Sequence, residues 1–235
     1  MKNLYLFLVS LLILNACNNS TKGDGNIVSE NRGIFKNYEK IKVDGPFNVK
    51  ISSTNFPDSQ KLLVITDKNI QEFVKVYIKN NILYIKAMGN TDIEPTKAII
   101  KLIGNSELDI ENSGAGIVSL NAKLNKLKIQ NDGSGDCIIQ GALPPFIEIY
   151  NSGSGKIKVL SDLDEIQMYN SGSGSISTED INVNDITVNN SGSGECTVNA
   201  LKKLYVIISG SGNVYYKGKP EIIKDLTGSG EVEKL

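Results

Sequence analysis

The chain has 235 residues, 40% of them hydrophobic and 22% charged, the mix of a globular protein with a sizeable core. A formal net charge of −1 gives no sign of a nucleic-acid partner or of an acidic one. There is no histidine, which excludes Ser-His-Asp and Cys-His nucleophile systems and the usual imidazole-based zinc sites.

The first stretch, MKNLYLFLVSLLILNAC, joins Lys2 to an apolar run from Leu4 to Leu14. The run is shorter than the about 20 residues a spanning helix needs and has the layout of a targeting segment. It ends Leu14-Asn15-Ala16-Cys17. A cysteine directly after Leu-x-Ala resembles the bacterial lipobox, in which the chain is cut before the cysteine and the cysteine is acylated. Asn15 stands where a small residue is commoner, and a plain secretory signal is the other reading. Residues 1–16 are expected to be a lipoprotein signal peptide, with Cys17 lipidated and the membrane a partner through its acyl chains. Residues 18–26, NNSTKGDGN, are polar and Gly-containing, so 17–33 is expected to be the lipidated Cys and a flexible tether.

Residues 34–104 read as strands without a clear repeat. Ile41, Val43 and Phe47 to Ile51 alternate, and Leu62-Leu63-Val64-Ile65 is a buried-strand run. Phe73 to Ile78 and Ile82 to Ile85 flank Lys79-Asn80-Asn81, a hairpin-like turn.

From residue 105 a repeat takes over. Asn112-Ser-Gly-Ala-Gly116 is followed by related motifs starting at Asn131, Asn151, Asn170, Asn190, Ile208 and Leu226. Their first glycines, Gly114, Gly133, Gly153, Gly172, Gly192, Gly210 and Gly228, are spaced 19, 20, 19, 20, 18 and 18 residues apart. Apolar residues alternate before each motif (Leu127 and Ile129, Ile147 and Ile149) and after it (Cys137 and Ile139, Ile157 and Val159). A third apolar position recurs at Leu124, Leu163, Val183 and Leu201. Each unit is therefore strand, Gly-Ser turn, strand, corner, which is too short for a propeller blade. The predicted fold is all-β: a parallel β-helix, or β-solenoid, of about 18–20 residues per coil, with right-handed winding as the prior expectation. Residues 105–235 would be regular coils, 34–104 a cap or degenerate coils, and 34–235 one continuous domain.

In this scheme Asn131, Gly133, Asn151, Gly153, Asn170, Gly172, Asn190 and Gly192 are structural turn residues. Glycine permits positive φ and close backbone approach. Stacked asparagines can form an amide ladder. The fourth-position serines of the motif, from Ser134 to Ser229, would form a column of hydroxyls with no histidine to activate them. Cys137 and Cys196 fall in one inward column three coils apart, about 14 Å at 4.8 Å per coil, beyond the about 7 Å a disulfide allows between Cα atoms.

The stretches GDGNIVSENRGIFKNYEKIKVDGPFNVKI (23–51) and KVYIKNNILYIKA (75–87), followed by the repeated NSGSG turns, resemble the putative auto-transporter adhesin, head GIN domain family. The resemblance implies a β-helical cell-envelope protein, often a lipoprotein, of a kind common in Bacteroidetes-type bacteria. It implies no catalytic residues.

The leading functional expectation is a non-enzymatic, lipid-anchored envelope protein of adhesin-like type, at the outer membrane with its face left open, binding a protein or carbohydrate ligand. The candidate contacts are Tyr150 and Tyr169, which share a column, and Tyr205 and Tyr215, taken as neighbouring outward positions of later coils. The plainer reading is a tyrosine ladder that stiffens the sheet. A polysaccharide-active β-helix enzyme is the second class, but Asp162/Asp164 and Asp132/Asp136 form no recurring pair across coils. Asp132-Gly-Ser-Gly-Asp136 has the look of a calcium β-roll repeat, yet Lys156, Ser175, Glu195 and Asn213 occupy its last position elsewhere, so no metal and no cofactor is expected. A purely structural or self-associating unit is the third class.

Overall fold

The computed structural model describes residues 20–35, 37–53, 61–89 and 92–235; the expected signal peptide and Cys17 lie outside the described residues. The N-terminal strands are β1 (Thr21–Lys22), β2 (Ile27–Ile34), β3 (Lys40–Asp44), β4 (Asn48–Ser52), β5 (Lys61–Asp67), β6 (Val74–Lys79), β7 (Ile82–Ala87), β8 (Ile93–Glu94) and β9 (Ala98–Ile103). Then come β10 (Glu107–Asn112), β11 (Val118–Lys123), β12 (Lys126–Asn131), β13 (Cys137–Ala142), β14 (Phe146–Asn151) and β15 (Ile157–Val159). The last are β16 (Leu163–Asn170), β17 (Ile176–Asn190), β18 (Cys196–Ile208), β19 (Val214–Gly218), β20 (Glu221–Leu226) and β21 (Val232–Lys234).

Period-two alternation makes these segments strands. In β12, Leu127, Ile129 and Asn131 point in while Lys126, Lys128 and Gln130 point out. Corresponding strands stack in parallel and in register, so each inward position becomes a column. Ile110, Ile129, Ile149, Met168, Val188 and Val206 form one such column, all fully buried. The fold is a β-solenoid. Strands before the Gly-Ser corner form one sheet, β6-β7-β3-β10-β12-β14-β16-β17-β18-β20, called the leading sheet below. Strands after it form the trailing sheet, which begins β2-β5-β9-β4-β11 and ends β18-β19-β21.

The chain does not climb this stack in order. The β3–β4 coil receives β7 and β9 on one side and β10 and β11 on the other. The strands β5 to β9 therefore build the base before β10 resumes the stack above. The base is closed by antiparallel strands, β6 on β7 and β2–β5 on β9. The β6–β7 hairpin turns at Asn80 and Asn81, whose φ values of 51° and 58° suit a tight two-residue turn. Gln71, buried within the base, donates to the Val28 and Val64 carbonyls, and Arg32 donates to its carbonyl and side-chain oxygens.

Residues 21–33 differ from the expected flexible tether: they are folded. β1 pairs with β8, and the Asn69 side chain brackets the Lys22 carbonyl (2.7 Å) and the Asp24 N–H (3.0 Å). The buried Asp67 carboxylate accepts the N–H of Gly25 and of Thr96, each at 2.8 Å. Burial alone would raise the Asp67 pKa, but these donors and the Thr96 hydroxyl outweigh it and hold the carboxyl below its ordinary value. Composition alone suggested a tether because the ordering partners lie more than 30 residues away.

Two further details depart from expectation. Leu201 is 47% exposed, and Ala200 takes the buried place opposite Val183. The coil there is shorter, and the register shifts at Val183 push the next residue outward. The corner glycines also owe little to positive φ, since none of the repeated motif glycines adopts it. A Cβ on Gly153 or Gly155 would instead strike the carbonyl oxygen of Gly133 or Gly135 in the coil beneath. Stacking distance, not turn conformation, demands glycine here.

Gly153→Ala is expected to destabilise the protein by about 1–3 kcal/mol through overpacking against backbone, whereas the exposed Ser154→Ala should stay within about 0.5 kcal/mol, as read by chemical denaturation. Asp67 contributes stability that is full above the unfolded carboxyl pKa, about 4, and is lost as pH falls through the lower folded value. Asp67→Asn should therefore lower the melting temperature at neutral pH and flatten its decline in acid, as measured by thermal melts across pH.

Candidate binding face

In-register parallel stacking places equivalent outward side chains one rung apart, about 4.8 Å. On the leading sheet one outward column runs Lys42, Glu111, Gln130, Tyr150, Tyr169, Asn189 and Ile207. Its neighbour runs Lys40, Asp109, Lys128, Glu148, Gln167, Thr187 and Tyr205. Tyr150 and Tyr169 accordingly stack, with centroids 4.6 Å apart and planes 6° from parallel. Lys128, one rung below, holds its ammonium 4.4 Å from the centroid of Tyr150. The Tyr150 hydroxyl donates to Glu148 (3.2 Å) and the Tyr169 hydroxyl to Gln167 (3.1 Å). Burial and then the Glu148 charge raise the Tyr150 phenol above its usual pKa.

This geometry limits what the ladder can offer. Both faces of Tyr150 are covered, one by Tyr169 and one by Lys128. What the ladder presents outward is ring edges and hydroxyls, with Asn189 on the next rung beyond Tyr169. Tyr205 is 37% exposed on the same sheet. Tyr215 is not its neighbour: it lies on the trailing sheet opposite Thr197, past the Gly-Ser corner, and its hydroxyl accepts from Asn213 (3.1 Å). The two tyrosines are ten residues apart in sequence, but the intervening corner separates them onto two sheets.

A second aromatic pair was not singled out in the sequence. Tyr77 and Tyr84 stack at 5.0 Å, with Lys86 5.7 Å from the Tyr77 centroid. The signal was present: a two-residue turn at Asn80-Asn81 places Tyr77 opposite Tyr84. Tyr84 continues the Lys42 column, so the two tyrosine pairs are parted by an ionic patch. There Glu111 contacts Lys40 at 2.8 Å and Lys42 at 2.9 Å, and Lys40 also contacts Asp109 at 3.3 Å. Burial opposes ionisation of Glu111, but the two ammonium groups prevail and hold its carboxyl below the ordinary range.

The corner residues are occupied with structure. Asn112, Asn131, Asn151, Asn170 and Asn190 are buried. Asn112 donates to Asn131 (3.0 Å) and Asn131 to Asn151 (3.3 Å), an amide ladder. Higher up the side chains turn into their own corners: Asn151, Asn170 and Asn190 donate to the Gly155, Gly174 and Gly194 carbonyls at 3.1, 3.0 and 2.8 Å. The backbone N–H groups of Ser152 and Gly153 both reach the Asn131 carbonyl, and those of Ser154 and Gly155 the Gly133 carbonyl. Gly172 and Gly192 repeat the Gly133 and Gly153 environment.

Cys137 and Cys196 are free and buried, separated in their column by Ile157 and Ile176. Burial pushes both thiols up to about 12, so they are packing residues. The aspartates staple coils together. Asp132 accepts from Gln130 (2.8 Å) and Ser152 (2.5 Å), Asp136 from the Lys156 N–H (2.8 Å), and Asp162 from the Asn182 N–H (2.7 Å). Among the described residues, no group of three or more His, Cys, Asp or Glu side chains is placed to hold a metal.

The model of the family described as "Putative auto-transporter adhesin, head GIN domain" matches residues 37–220. The chain belongs to this family. The fold of this head GIN domain protein recurs in solved structures. A protein from Bacteroides fragilis NCTC 9343 described as a putative adhesin superposes with a TM-score of 0.79 at 20% identity, covering 92% of this chain and 100% of that one. A putative adhesin from Parabacteroides merdae ATCC 43184 gives 0.69 at 20% identity, covering 92% and 99%. A protein from Parabacteroides distasonis ATCC 8503 described as a putative lipid binding protein gives 0.69 at 25% identity, also covering 92% and 99%. No curated protein matches the chain. Membership of the head GIN domain family makes the protein adhesin-like in type and associates it with the cell envelope or exterior.

If the Tyr150–Tyr169 stack stiffens the sheet, a double-mutant cycle with Tyr150→Ala and Tyr169→Ala in denaturant should give a coupling of about 0.5–1.5 kcal/mol. Strictly additive losses would remove that role.

Proposed function

We propose that the protein is a non-enzymatic, lipid-anchored protein of the bacterial outer membrane, held by acyl chains on Cys17, that binds a protein or carbohydrate partner along its leading sheet. The observation that carries this reading is the ordered ladder of Lys128, Tyr150 and Tyr169 on a rigid parallel sheet. Its side chains are already held in place, so association costs little ordering entropy. Tyrosine edges, phenol hydroxyls and an ammonium suit sugar hydroxyls or a polar protein surface. Tyr205 extends the same face, and Tyr215 would serve only a partner that wraps onto the trailing sheet.

A non-enzymatic role is supported by the use made of the carboxylates. Asp132, Asp136, Asp162 and Asp164 each accept a hydrogen bond from a neighbouring coil, an architectural task. The test is a glycan array and a surface pull-down with the lipid-free chain from residue 18. Tyr169→Ala and Tyr205→Ala should each weaken captured binding about tenfold, the loss of one well-placed contact. Unchanged binding in the double variant would remove the leading sheet from the proposal. Turnover of an anionic polysaccharide would overturn the non-enzymatic reading.

A further inference from the structure

The base of the solenoid begins very close to the expected lipid. Thr21 donates its N–H to Asp92 at 2.7 Å and Gly23 to Glu94 at 2.9 Å. Lys22, Asp24 and Gly25 are held by Asn69 and Asp67. The first of these held residues, Thr21, is four Cα steps from Cys17. Four steps reach at most about 14 Å at full extension. The headgroup layer takes up about 5–8 Å of that, half the difference between the hydrocarbon core and the whole bilayer. Thr21 can then rise no more than about 9 Å above the headgroups.

We propose that the base of the solenoid, meaning the β1–β8 corner and the outer edges of β2 and β6, is a membrane-contact surface, with the coils projecting away from the bilayer. The proposal rests on lipidation of Cys17. The base also carries exposed apolar side chains at Ile27 in β2, Ile78 in β6 and Met88 just past β7. Lys22, Lys68 and Lys79 lie exposed beside them. Asp24, Glu72, Asp92 and Glu94 are exposed there too, and Lys22 pairs with Glu94, so the rim is apolar with mixed charge, and its apolar side chains and lysine stems suit a bilayer interface. From β7 to β20 the leading sheet climbs eight rungs, which puts the far coil about 38 Å higher. The Tyr150–Tyr169 ladder would stand midway, its columns running along the membrane normal.

The test uses the full-length lipidated protein in vesicles of phosphatidylethanolamine and phosphatidylglycerol containing a headgroup-quencher lipid. A fluorophore is attached through Lys68→Cys at the base or Ser229→Cys at the far corner, both exposed sites. The buried Cys137 and Cys196 stay unlabelled. The base label should be quenched several-fold more than the far label. A long Gly-Ser insertion between residues 19 and 20 should relieve that quenching while the protein still floats with the vesicles. Equal quenching at both sites would mean that the solenoid lies flat, and no quenching in a floating protein would mean that the base stands clear; either overturns the proposal. A wild-type protein that does not float would overturn the lipid anchor and this proposal with it.

Discussion

At each Gly-Ser corner, the carbonyl oxygen of one coil occupies the space where a Cβ of the next would sit. This approach sets the rung spacing on which the rest of the molecule depends. It is held by paired N–H donors, as where Ser152 and Gly153 both bond to the Asn131 carbonyl. Any side chain at Gly153 or Gly155 would part the coils there. The strands on either side would then lose the registry that stacks their apolar columns.

Registry explains why like sits on like throughout. Tyr150 meets Tyr169 because both occupy the same place in successive coils, and so do Asn112 and Asn131. The same rule keeps Cys137 and Cys196 apart and reduced. It also gives the surface its character. An outward column is a straight, pre-ordered row of side chains, and the leading sheet offers two such rows side by side. A face of that kind suits an extended partner better than a small substrate, which agrees with the adhesin-like family.

A stack of parallel coils must end somewhere, and its base ends in antiparallel strands. β6 folds back on β7, and β2 and β5 fold back below β9. Several of the polar groups this leaves inside are matched by Gln71, Arg32 and Asp67. Asp67 and Asn69 also hold Lys22, Asp24 and Gly25, which ties the chain before β2 to the base. The segment before β2 is therefore part of the cap, which a flexible tether would not be.

Much of the solenoid was legible in the residues themselves. A period of 18–20 and strict alternation are local patterns, and they were enough to assign strands, corners, inward columns and the separation of the cysteines. The asparagine ladder was legible for the same reason, though only its lower rungs are linked side chain to side chain. What pairs with what over long distances was not legible. Only tertiary structure placed Tyr205 and Tyr215 on different sheets, turned Leu201 outward in a shortened coil, and slid β7 and β9 beneath β3 and β4. The order of Lys22, Asp24 and Gly25 likewise depends on Asp67 and Asn69, more than 40 positions away, and that of β2 on its pairing with β5. Periodicity determines which face of a strand is buried, while the identity of the strand beneath it is set by pairing energies that no local pattern contains.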